Sequence, residues 1–102
     1  MPVMGDSGQA HSAFLEYLQG TALQRGLRVT SPVLLKPEGD AHHRELPITL
    51  QVSGPDNALF RWLADLQSPE KFMVVKYLLL TPAATTRPRM TASLTVSRFY
   101  KP

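Results

Sequence analysis

The chain has no cysteine. That excludes disulfides, a thiol nucleophile and cysteine-ligated zinc, and it leaves the redox compartment open. No apolar run approaches the ~18–20 residues that a membrane-spanning helix needs. The opening residues, MPVMGDSGQ, lack the hydrophobic stretch of a signal peptide. Charge of one sign is never massed: eleven basic residues are scattered from Arg25 to Lys101, so a net charge of +3 supports solubility and only weakly draws an acidic partner. Glycine is sparse, and its one cluster, Gly5 to Gly8, is not a phosphate loop. What remains is ordinary globular material. Apolar residues make up 43 % and charged residues 19 % of 102 positions, which suits one small folded domain.

The organising stretch runs from Leu46 to Leu66, LPITLQVSGPDNALFRWLADL. Leu46, Ile48, Leu50 and Val52 alternate with Pro47, Thr49, Gln51 and Ser53, the period of a half-buried strand. After Gly54-Pro55 the period becomes helical, with Ala58, Leu59, Trp62, Leu63 and Leu66 on one stripe. Pro55 suits the first helical position, and Asp56 places negative charge at the positive end of the dipole. Upstream, residues 1–8 read as a flexible tail and 9–102 as the domain. Gln9 to Arg25 forms a helix with Phe14, Leu15, Leu18 and Ala22 on one face, and Gly26 is placed to cap it. Leu27 to Lys36 follows as a strand in which Val29, Ser31, Val33 and Leu35 share a face, and Pro32 consigns it to an edge. Pro37 to His43 is a polar loop. Downstream, Phe72 to Leu80 (FMVVKYLLL) reads as a strand, Thr81 to Pro88 as a connection, and Arg89 to Tyr100 as a last, well-alternating strand.

Helix, strand, strand therefore occurs twice. Three of the four strands have one apolar and one polar face, so two helices on one side of a single sheet is the economical solution. A right-handed crossover from the Leu46 strand leaves room for the last strand to insert beside it. The expected fold is α+β: a ferredoxin-like two-layer sandwich, circularly permuted to αββαββ, with a four-stranded antiparallel or mixed sheet. Its order would be Phe72 strand, Arg89 strand, Leu46 strand, Leu27 strand.

The segments ALQRGLRV (Ala22 to Val29), LPITLQVSGP, FRWLADL, VVKYLLL and MTASLTVSRFY together resemble the periplasmic domains of the PilO and GspM families. These are inner-membrane assembly proteins of type IV pili and type II secretion systems. The resemblance spans about Gln9 to Tyr100 and carries no catalytic signature. It implies an αββαββ ferredoxin-like fold and a dimerising, scaffolding role in the periplasm. It also implies a homodimer or paralogous heterodimer as partner, and a full-length protein anchored by a transmembrane helix and a coiled coil absent from these residues.

The Phe72 strand is the most informative surface. Phe72, Val74, Leu78 and Leu80 are expected on one face and Met73, Val75, Tyr77 and Leu79 on the other. A long edge strand that is apolar on both faces invites another chain. The candidate partner interface is therefore Phe72, Met73, Val75, Tyr77 and Leu79, with Phe60 standing off the apolar stripe of its helix. Other chemistries find less support. His42 and His43 with Glu38, Asp40 and Glu45 lack the spacing of metal ligands, so no metal or cofactor is expected. His11 is expected at the surface. Ser53 lacks the G-x-S-x-G context of a hydrolase elbow, and no enzyme activity is expected. The open face of the central strands, with only Phe99 aromatic, offers no base-stacking platform, which argues against nucleic acid. A ferredoxin-like module that senses a small molecule is the alternative function.

Overall fold

The computed structural model describes residues 5–67, 69–82 and 89–101. Helix α1 spans Ser7–Gln24. Strand β1 spans Arg28–Leu34 and β2 the two residues Glu38–Gly39. Strand β3 covers Arg44–Pro55, α2 Asp56–Leu66, β4 Met73–Pro82 and β5 Arg89–Tyr100. One 3₁₀ turn, Pro69–Lys71, leads into β4.

The sheet order is β1-β3-β5-β4, the order expected, with every neighbouring pair antiparallel. Strands β3 and β4 run the same way with β5 inserted between them, so β3–α2–β4 is a split βαβ unit. The sheet has five strands, because the expected polar loop contains β2, which pairs with the start of β3 in a tight hairpin. Asp40 makes this turn. Its N–H donates to the His43 carbonyl at 2.9 Å, and its carboxylate accepts the N–H groups of His42 and His43.

Both helices cover one face of the sheet. Phe14, Leu18 and Ala22 of α1 and Leu59, Trp62, Leu63 and Leu66 of α2 pack on Ile48, Leu50, Val52, Ala92, Leu94 and Val96. The alternation of β3 and β5 dictates this, since each has its aliphatic residues on one side only. Helix α1 begins at Ser7, where the Asp6 carboxylate accepts the Gln9 N–H at 3.1 Å and caps the first turn. Of the tail expected over residues 1–8, residues 1–4 lie outside the described residues, and α1 takes in the last two. At its other end Leu27 N–H bonds the Ala22 carbonyl and Gly26 N–H the Leu23 carbonyl, with Gly26 at φ +75°. This is a Schellman cap, which a residue with a Cβ enters only with strain.

Several expectations about detail are corrected. Pro55 is the N-cap of α2 rather than its first helical residue, because β3 continues through it to pair with Arg89. Strand β4 starts at Met73; Phe72 occupies a left-handed turn, φ +56°, with its N–H bonded to the Pro69 carbonyl. Strand β4 also takes in Thr81 and Pro82, and the rest of the expected connection, 83–88, lies outside the described residues. His11 is buried, not superficial: its Nε2–H donates to the Pro47 carbonyl at 2.8 Å. That same carbonyl accepts Leu35 N–H at 3.1 Å. The backbone nitrogen of Pro47 therefore faces β1 just beyond its last residue, which is how a central strand tolerates proline.

Candidate functional site

The two outer strands each contain an extra residue. In β1 the register slips between Thr30 and Val33, at Ser31-Pro32, where Ser31 adopts φ +53°. In β4 it slips between Val75 and Tyr77, at Lys76. A bulge of one residue reverses the facing of everything beyond it. Met73 and Val75 lie opposite Arg98 and Val96, on the helix side, and after the bulge Leu78 and Leu80 lie opposite Leu94 and Ala92, also on the helix side. Val74, Tyr77 and Leu79 face away from the helices. The expected grouping of Met73 and Val75 with Tyr77 and Leu79 is thus overturned by one residue. The equivalent grouping in β1 fails likewise: Val29 faces the helices opposite Val52, while Val33 lies opposite Thr49 on the open face.

The bulge residue is tied down. Lys76 Nζ donates to Glu45 Oε2 at 2.8 Å, and Ser97 Oγ donates to the same oxygen at 2.7 Å. One carboxylate thereby links β3, β5 and the edge strand β4. Glu45 is buried, which pushes its carboxyl up, but the hydrogen bonds from Lys76 and Ser97 outweigh burial and hold it below its ordinary value. The same bond holds the Lys76 ammonium above its ordinary value.

Strand β4 is the edge of the sheet, and among the described residues nothing pairs with its outer side. On the open face Tyr77 is 56 % and Leu79 52 % exposed; on the helix side Leu78 is also exposed. Phe60, on α2, is 46 % exposed. On α2 the flank carrying Asp65 and Trp62 turns toward α1, since Asp65 ion-pairs with Arg25 and Trp62 Nε1 donates to Thr21 Oγ1 at 2.9 Å. At 100° per residue Phe60 falls on the opposite flank of α2, the one away from α1. Tyr77 and Leu79 thus lie on the open face of the edge strand, and Phe60 on the helix side of the sheet. Val75 is half-buried against the core, and Met73, 4 % exposed, belongs to it outright. Phe72 stands at the turn before the strand, its carbonyl accepting Phe99 N–H.

Sequence reading missed the bulge, although a lone lysine inside an otherwise apolar run was its one signal. It also missed the Glu45–Ser97–Lys76 cluster, whose members are far apart in the chain. Among the described residues every buried side-chain polar atom has a hydrogen-bond partner. Among the described residues no three metal-ligating side chains converge. A depression between the helices is rimmed by pairs already formed, Arg25 with Asp65 and Lys71 with the Tyr17 hydroxyl. On the open face a shallow groove runs between Leu35 and Tyr77, floored by Pro47 and Thr95.

No protein-family model and no curated protein sequence matches this chain. Among solved structures it is similar to the type 4 fimbrial biogenesis protein PilO from Pseudomonas aeruginosa. The TM-score is 0.73 at 22 % identity, over 86 % of this chain and 67 % of that one. It is also similar to the core region of PilO from the type IV pilus system of the same bacterium, with TM-score 0.71 and 21 % identity over 86 % of this chain and 91 % of that one. The chain has the fold of the PilO core. No helix among the described residues is long and apolar enough to cross a membrane.

Proposed function

We propose that this chain is a non-enzymatic interaction domain of a type IV pilus assembly protein, acting in the periplasm while the rest of the full-length protein holds it at the inner membrane. Both similar structures are pilus proteins, which favours the pilus over a type II secretion platform. The observation that carries the reading is the ten-residue edge strand β4, whose outer side has no partner among the described residues and which is apolar on both faces. Edge strands of this kind associate by adding a strand from another chain, a copy or a paralogue. The mechanism is geometric: a rigid sandwich fixes where β4 and Phe60 are presented.

The test is replacement of the chromosomal copy by Leu79→Lys, which puts an ammonium on the open face of the edge and leaves the core untouched. Surface pili counted by electron microscopy should fall severely while the protein accumulates normally. Wild-type piliation with the stable variant would remove the reading.

A further inference from the structure

The end of the sheet where α1 turns into β1 carries a second surface. Arg28 opens β1 opposite Ser53, and Arg89 opens β5 opposite Pro55. Opposed residues share a face and β3 alternates, so both arginines stand with Ser53 on the open face. They line one depression together with Gln19 and Leu23 of α1 and Val29 of β1. Every aspartate and glutamate of the chain is among the described residues, and the ion pairs they form engage Arg25, His43 and Lys76. None pairs with Arg28 or Arg89, and none lines the depression, which is therefore a focus of positive potential. Leu23 in its wall is 75 % exposed, more than any other large apolar residue described. The backbone here is open as well. Leu35 N–H donates to the Pro47 carbonyl, so the odd positions of β3 face β1. Gln51 and Ser53 are among them, and Thr30 and Arg28 opposite them direct their backbone groups inward. Val29 between them directs its N–H and C=O to the outer side of β1, where no strand pairs among the described residues.

We propose that this end of the sheet binds an extended acidic segment of a different protein, laid antiparallel along β1 with carboxylates and apolar side chains in alternation. This rests on the interaction-domain reading above and adds a surface separate from β4. The segment residue opposite Val29 exchanges both backbone hydrogen bonds with it. Its side chain falls on the helix side, where Leu23 and Val29 offer apolar contact. The neighbouring segment residue, opposite Arg28, falls on the open face, and a carboxylate there meets a guanidinium whose fork it fits. Arg89, two strands further in, strengthens the attraction through its field. Charge thus selects the sign of the segment, and the pleat selects its alternation. A free inorganic anion or a nucleic-acid phosphate would engage the arginines alone and leave Leu23 and the Val29 backbone unused, which favours a peptide.

The probe is a short acetylated peptide of alternating glutamate and valine, titrated into the isotope-labelled chain. Amide resonances of Leu23 and Leu27 to Thr30 should shift, while those of Tyr77 to Thr81 stay still. Arg28→Gln combined with Arg89→Gln should weaken the affinity about tenfold or more with the melting temperature unchanged. Leu23→Ser, which alters no charge, should weaken it as well. Raising salt from about 0.1 M to about 1 M shortens the screening length from about 10 Å to about 3 Å and should weaken binding comparably. A lysine–valine peptide of the same length should not bind. No binding of the acidic peptide, or equal affinity in the double arginine variant, overturns the proposal. Equal binding of polyglutamate or of a DNA oligonucleotide overturns it too, since it reveals a bare cationic patch. If it is overturned while Leu79→Lys still abolishes piliation, this site falls and the interaction-domain reading stands. If Leu79→Lys piliates normally and the peptide binds as described, the β4 reading falls and this surface stands.

Discussion

Trp62 shows how closely the interior is satisfied. Its side chain is wholly buried, its indole N–H donates to Thr21 Oγ1, and that hydroxyl in turn donates to the Tyr17 carbonyl at 2.9 Å. Thr21→Val keeps the shape and orphans the N–H, at a cost of about 1–3 kcal/mol. The urea midpoint should fall accordingly, and Thr21→Ser should restore most of it. Glu45 sets a pH dependence. Because its folded carboxyl titrates below the ordinary 4.5, its contribution is complete above that pH and is lost as pH falls through the folded value. Lys76 is the mirror case: held above 10.5, it contributes fully below that pH and less as pH rises past the folded value. Thermal melts of wild type and Glu45→Gln across the acid range should therefore converge as pH drops, the wild type declining more steeply.

At the scale of the element, termini and bulges decide what a regular pattern leaves open. Gly26 holds φ +75° just past the C-cap of α1, so Gly26→Ala should cost about 1 kcal/mol. For a domain of this size that is a fall of about 4–8 °C in melting temperature. Deleting Lys76 has a larger expected effect. Removing the extra residue forces either Met73 and Val75 or Leu78 and Leu80 off the helix side, and it strips Glu45 of its cation. The loss should be about 2–5 kcal/mol, measured as a lower denaturation midpoint. Element types and strand order were legible in the residues, because β3 and β5 alternate cleanly and Pro32 marks an edge. The facing of β1 and β4 was not, since a bulge is a local departure from period two with no strict sequence code.

For the whole molecule the edge of the sheet is decisive. Phe60 is exposed and off the core stripe, so Phe60→Ala should leave the monomer's stability within about 0.5 kcal/mol. Its exposed place on the flank of α2 away from α1 nevertheless predicts, on the interaction-domain reading, that the same substitution weakens association at least tenfold, read from the concentration dependence of the mass. Salt should matter little to that association, because no charge lies between Tyr77 and Thr81 and screening acts only on charges. A dimer that dissociates as ionic strength rises would point to a different surface.

Periodicity, turn residues and proline placement were enough to define two helices on one side of a single sheet with β4 at its margin. All of these follow from local sterics and from the need to bury one apolar face per element. Folding in three dimensions chose the rest. It turned Met73 and Val75 inward while leaving Tyr77 and Leu79 outside, buried His11 against Pro47, and gathered Glu45, Ser97 and Lys76 from three strands. Those outcomes depend on register and on contacts between residues distant in the chain, and a one-residue slip is enough to reverse them.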